Sequence, residues 1–171
     1  MARIENSVFD AGPIIHISET NAEICYSLFS SIFITPEVES EIVSKDAPGK
    51  KELKNIINLS VITLDGKHKD MAKFMINKHG LDLGEASSIS LCKQVSVSLF
   101  FTDDLDARIV AQKYGLNVHG TVGIIIRLFR EGVLSKKNTI NLLKLLREKS
   151  SLFVTSDLIN WAINQVENYS K

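Results

Sequence analysis

The chain lacks any apolar run near the roughly 18 residues that a membrane-spanning helix requires. Stretches such as Val122 to Ile126, itself broken by Gly123, fall far short. It has only two cysteines, Cys25 and Cys92, in helix-like patterns and without Cys-x-x-Cys or Cys/His ligand spacing, so both read as small buried hydrophobes. No Pro/Gly/Ser-rich linker, internal repeat or low-complexity tract divides the sequence, and one domain over residues 1–171 is expected. The opening Met-Ala-Arg-Ile-Glu-Asn carries an acid and an amide where a signal peptide would have its hydrophobic region, and a cytoplasmic protein is therefore expected.

What is present suffices for an ordinary core. With 171 residues, 44% of them apolar, the chain can bury about two thirds of its unfolded surface, and wholesale disorder is excluded. Twenty basic residues balance 20 acidic ones, but unevenly. Arg127 to Lys149 holds seven bases against two acids, a local charge of +5, so the remainder carries −5. A basic flank beside an acidic site suits a polyanionic substrate.

Strand-length apolar runs recur at Ser7 to Phe9, Ile32 to Thr35, Val61 to Leu64 and Val97 to Thr102, with a short strand at Asn117 to His119. Helical periodicity fills the intervals: a short helix after Gly12-Pro13, then Ala22 to Ser30 with Ile24, Cys25, Leu28 and Phe29 on one stripe, a helix opened by Pro36, Lys50 to Asn58, Lys67 to His79, Gly84 to Gln94 and Asp106 to Tyr114. Gly115 suits a helix C-terminus. After Gly120 only helices follow, over Thr121 to Arg130, Thr139 to Glu148 and Asp157 to Asn168, with Thr121 and Ser156 as N-cap candidates. The alternation predicts a three-layer α/β/α fold around a parallel sheet. Its core spans about residues 4–132, and a helical extension over about 133–171 packs on the same core.

The acids are informative through their positions. Asp10 ends the first strand just before a turn, at the sheet edge where open α/β folds bind ligands. Glu41 borders the stripe formed by Val38 and Ile42, where a carboxylate is costly without a cationic partner. Glu85 shares a helix face with Ser88, Ile89 and Cys92, which turns it inward. Asp103, Asp104 and Asp106 crowd the end of the most strand-like segment, and their mutual repulsion reads better as a cation site than as stabilisation. Acids from four elements in one crevice imply a hard dication, Mg²⁺ or Mn²⁺. His16, His68, His79 and His119 show no zinc-ligand spacing and read as surface or packing residues, and Trp161 reads as a packing residue.

These segments, Val-Phe-Asp-Ala-Gly-Pro-Ile-Ile, Thr-Pro-Glu-Val-Glu-Ser-Glu-Ile, Gly-Glu-Ala-Ser-Ser-Ile, Phe-Thr-Asp-Asp-Leu-Asp-Ala-Arg and His-Gly-Thr-Val-Gly-Ile, resemble in order and spacing the PIN-domain nucleases, and among them the toxin-like VapC-type subgroup of bacteria and archaea. The resemblance spans Ser7 to about Gly132. It implies a metal-dependent endoribonuclease whose acids are Asp10, Glu41 and Glu85, the last standing where many relatives have aspartate. For the acid after the fourth strand, the count from Glu85 favours Asp103, whereas the Thr-x-Asp-x-Asp pattern favours Asp104 with Asp106 in support. Thr102 would orient a carboxylate by its hydroxyl. Arg127, Arg130, Lys136 and Lys137 would hold flanking phosphates of the RNA. A small antitoxin protein and a second copy of the chain are the implied partners.

Two other readings compete. A PIN-like module that grips RNA or protein without cutting is compatible with glutamate at position 85. A phosphoacceptor of the doubly wound type would use Asp10, but lacks a companion acid two residues on, where Gly12 stands.

Overall fold

The computed structural model describes residues 6–44 and 49–169. The Met-Ala-Arg-Ile-Glu segment and the start of the expected core at residue 4 lie outside them. Five strands, β1 (Ser7–Phe9), β2 (Ile32–Ile34), β3 (Leu59–Val61), β4 (Leu99–Phe101) and β5 (Asn117–His119), form one sheet in the order β3-β2-β1-β4-β5. Every pairing is parallel. The order runs outward from β1 in both directions, so the connections diverge between β1 and β4. In open α/β sheets that divergence opens a crevice beyond the strands' carboxyl ends.

Side chains alternate across the sheet, and each face is covered by helices. Phe9, Ile32, Ile34 and Phe101 face a core completed by α1 (Ala11–Glu19), α2 (Pro36–Ser44), α6 (Thr121–Arg130), α7 (Lys136–Lys149) and α8 (Ser156–Glu167). Val8, Phe100 and Val118 face the opposite core, covered by α3 (Gly66–His79), α4 (Leu83–Gln94) and α5 (Leu105–Lys113). This is the three-layer α/β/α arrangement with additional C-terminal helices. The first core centres on Phe9, Phe29 and Phe101, whose ring centroids lie 4.7–5.1 Å apart. Cys25 and Cys92 are free and buried. Among the described residues no helix is long and apolar enough to cross a membrane.

Several elements depart from the sequence expectation. The segments expected as helices at Ala22 to Ser30 and Lys50 to Asn58 contain 3₁₀ turns, Glu23–Leu28 and Glu52–Asn55. The tighter three-residue period stacks Cys25 over Leu28 and turns Ile24 outward to 49% exposure, against the expected buried stripe. The Asn58 side-chain amide then donates to the carbonyls of Tyr26 and Phe29, fastening the two segments together. The third strand lies two residues before its expected start at Val61, because it is an edge strand whose register is set by pairing Ile32 with Leu59 and Ile34 with Val61. Helix α8 is capped by Thr155, which accepts from the Leu158 N–H, and not by Ser156. Gly115, at φ +74°, follows the end of α5 at Tyr114 in the left-handed conformation that glycine adopts without strain. Trp161 does not pack inside: it is 52% exposed.

Phe9 has no exposed surface and touches both other rings of the aromatic centre. Its truncation, Phe9→Ala, is expected to cost about 3–5 kcal/mol, measured by denaturant unfolding; a loss below about 1 kcal/mol would show that this centre does not organise the core.

Candidate metal and nuclease site

The strand ends deliver the acids. Asp10 follows β1 in extended conformation at the N-cap position of α1, yet its side chain makes no capping bond there. Its Oδ2 instead accepts from the Thr102 hydroxyl at 3.0 Å, and its backbone N–H donates to the Phe101 carbonyl. Thr102 is fully buried at the end of β4, so the two central strands clasp at their carboxyl ends through this contact. Thr35, ending β2, bonds Ser87 of α4 at 2.8 Å and accepts from the Val38 N–H that opens α2. That bond seats α2 and α4 together at the same edge.

A crevice of about 340 Å³ results, lined by Asp10, Glu41, Asp82, Glu85, Asp103 and Asp104, by His16 with Ala11 and Gly12, and by Ser151, Leu152 and Phe153. Asp10 is 7% exposed. The convergence is best seen at Gly84, in the first turn of α4. A Cβ placed there would lie 3.0 Å from Glu41 Oε2, 3.4 Å from Asp82 Oδ1 and 3.7 Å from Asp10 Oδ1. Three carboxylates from three elements thus present oxygens to one small volume, and the missing side chain leaves it open. No lysine or arginine ion pair involves Asp10, Asp82, Glu85 or Asp104 among the described residues.

The repulsion is met by helix-end amides. Asp82 caps α4, accepting from the Glu85 N–H at 2.8 Å, while Glu85 Oε2 accepts from the Asp82 N–H at 2.9 Å, a reciprocal capping box. Asp104 caps α5, accepting from the Ala107 N–H. Asp103 accepts from both the Thr121 N–H at 2.8 Å and the Thr121 hydroxyl at 2.6 Å, and from His16 Nδ1 at 2.8 Å. Thr121 is therefore the first residue of α6, not its cap; the cap position belongs to Gly120, and the carboxylate arrives from β4. Glycine is required there, since a Cβ would fall 2.5 Å from Asp103 Oδ1. Because Glu85, Asp103 and Asp104 are drawn onto amides, no group of three acid, histidine or cysteine side chains among the described residues stands ready-made around one ion.

Charge regulation follows from this crowding. Burial pushes the Asp10 carboxyl up to about 7, against the pull of the Ala11 N–H and the Thr102 hydroxyl and with the help of Asp82 and Glu41. Burial likewise pushes Glu85 up to about 8, opposed by the Asp82 N–H and reinforced by Asp82, Asp104 and Asp10. The set fits a hard dication in kind: carboxylate oxygens, a buried acid deprived of cations, and space where they converge. Enclosing an ion requires some of these side chains to leave their amides.

The other expected site residues lie elsewhere. Asp106 is exposed in the first turn of α5 and does not line the crevice. Arg127 and Arg130 line a different cavity, of about 480 Å³, with His119 and Trp161. Arg127 pairs with Glu131 at 2.7 Å and Arg130 lies 5.9 Å from the Tyr169 ring centroid. Lys136 donates to the Glu167 carbonyl, and Lys137 is exposed. Sequence reasoning missed Asp82, although its spacing to Glu85 is that of a capping box. It also missed His16 as a partner of Asp103, and the lip formed by Ser151 to Phe153, which no local signal marks.

A family model for the PIN domain matches residues 6–168. No curated protein matches the chain.

Two outcomes are expected. Between pH 4 and 7 the native state holds a proton on Asp10 that an unfolded carboxyl, near 3.8, has released. Stability of the metal-free protein therefore falls as pH rises through that window. Thermal melts in a chelator at pH 5 and pH 8 should show this, with a smaller difference in Asp10→Asn; equal pH slopes for the two proteins would contradict it. Gly120→Ala should destabilise by about 1–3 kcal/mol by overpacking, whereas Gly12→Ala, whose added Cβ would meet nothing nearer than 3.6 Å, should not. Denaturant midpoints compare the two.

Proposed function

The chain belongs to the PIN-domain family, and from that premise we propose that it is a divalent-metal-dependent endoribonuclease working in the acid crevice. The observation that carries this reading is the approach of Asp10, Glu41 and Asp82 oxygens to one volume beside Gly84, at the carboxyl edge of the sheet. Asp10, Glu41, Asp82, Glu85 and Asp104 are the residues that would hold Mg²⁺ or Mn²⁺. Bound there, such an ion would polarise a phosphodiester and favour deprotonation of an attacking water.

The chain's own groups perform the rest. Thr102, by donating to Asp10 Oδ2, fixes which oxygen of that carboxylate faces the crevice. Asp103, with both oxygens engaged by Thr121 and His16, acts as a positioning residue that holds α1 and the start of α6 against β4. The amides that open α4 and α5 hold Glu85 and Asp104 in the metal-free site, and a bound cation would compete with them. Asp106 has no part in this set. The basic Arg127, Arg130, Lys136 and Lys137 would draw the RNA backbone from outside the crevice. We read the chain as one unit, with a core to about residue 132 and a helical extension beyond, acting as the toxin of a toxin–antitoxin pair. A small antitoxin and a second copy of the chain are its proposed partners, and the cytoplasm its proposed location.

Incubation of the purified chain with single-stranded and hairpin RNAs in Mn²⁺, Mg²⁺ or EDTA provides the test. Metal-dependent fragments are expected, with cleavage lowered at least a hundredfold in Asp10→Asn and in Asp82→Asn while both variants stay folded; a factor that size corresponds to about 2.7 kcal/mol of barrier. Intact RNA under every metal condition would favour the non-cutting module instead. Expression should arrest growth for the wild-type chain and not for Asp10→Asn; growth unaffected by an active nuclease would remove the toxin assignment alone.

A further inference from the structure

The acids of the crevice repel phosphates and the basic residues lie outside it, so at the crevice mouth an attraction that does not depend on charge adds to the binding of substrate. The segment between α7 and α8 offers one. Its second residue, Ser151, is pinned to Glu19 of α1: the Glu19 Oε2 accepts from the Ser151 N–H at 2.7 Å and from its hydroxyl at 3.1 Å. Its last, Thr155, is fixed as the cap of α8. Between them the chain forms no helix or strand, and burial alternates: Leu152 and Val154 pack against the core while Phe153 between them is exposed. Its ring is 91% exposed, and it lines the crevice together with the acids. A lone exposed aromatic is commonplace on protein surfaces; one whose neighbours on both sides are anchored, and which stands on the lip of a crevice, is presented there.

We propose that Phe153 is a stacking platform for an unpaired nucleobase of the RNA strand entering the acid crevice, and that it gives the site a preference for single strands. The inference rests on the nuclease reading above for its substrate. An aromatic face attracts any base by stacking, irrespective of sequence and without a positive charge. A base held within a duplex has both faces covered by its neighbours, so the ring has nothing to bind. Leu152 and Val154 hold the ring's backbone in place, so little ordering is needed when the base arrives.

The test is equilibrium binding to the full chain, in EDTA, of a fluorescein-labelled single-stranded oligoribonucleotide, of the same strand in a duplex, and of an abasic strand of equal length. Phe153→Ala should weaken single-strand binding by about tenfold, Phe153→Trp should preserve it, and neither should alter binding to the duplex or the abasic strand. Equal binding by wild type and Phe153→Ala, or equal losses on all three probes, overturns the inference, as does absence of single-strand binding by the wild type. A change of mass by light scattering in Phe153→Ala also overturns it, since the ring would then lie between copies of the chain. Cleavage measured in parallel separates this from the nuclease reading. A base-dependent loss of binding in a chain that never cuts sinks the nuclease alone, and cutting with an unaltered KM in Phe153→Ala sinks the platform alone.

Discussion

Electrostatic repulsion among carboxylates gathered around a buried Asp10 is the constraint on which the rest of this structure turns. The sheet brings β1 and β4 side by side, and the acids that follow them cannot separate without breaking the Thr102 to Asp10 clasp. Besides His16, which meets Asp103, the fold answers with partial charges. The N-termini of α4, α5 and α6 all open onto this edge, and each offers its unpaired amides to one of the acids. What looks like ordinary helix capping at each position is, taken together, the means by which a negatively charged cleft remains compatible with a folded chain.

That double use explains why the site's acids divide by degree of commitment. Asp103 is bound on both oxygens and shielded by Gly120, so its role is tied to the architecture. Asp10 retains only one side-chain donor and carries the strongest burial. Glu85 and Asp82 hold each other reciprocally through two exposed hydrogen bonds. Asp82, Glu85, Asp103 and Asp104 are each committed to an amide, and among the described residues there is no ready-made cage.

Much of this was legible in the sequence. The alternation of strand and helix patterns announces the parallel sheet, acids at strand ends and on inner helix faces point to the crevice, and Asp10, Glu41, Glu85, Asp103 and Asp104 line it together. Asp82 stands just outside the helix that the pattern places at Gly84 to Gln94, although an Asp three residues before a Glu is itself a start signal. The 3₁₀ turn at Glu23–Leu28 was read with the wrong period, since Cys25 and Leu28 satisfy both a three-residue and a 3.6-residue repeat and only packing decides between them. The register of β3 could not be read because an edge strand is specified by its partner more than by its own pattern. The lip at Ser151 to Phe153 depends on a contact with Glu19 spanning 132 positions, for which a local pattern holds no information.

That distant contact shapes how the protein comes into being. Strand β1 waits for β4, paired through Val8 and Phe100, before Thr102 can clasp its acid, and the lip closes only when the segment ahead of α8 folds back on α1. Folds dominated by such remote pairings form slowly. A ribosome making this chain therefore carries an incomplete cleft until Ser151 to Phe153 have emerged, and only then can the cleft's full set of walls exist.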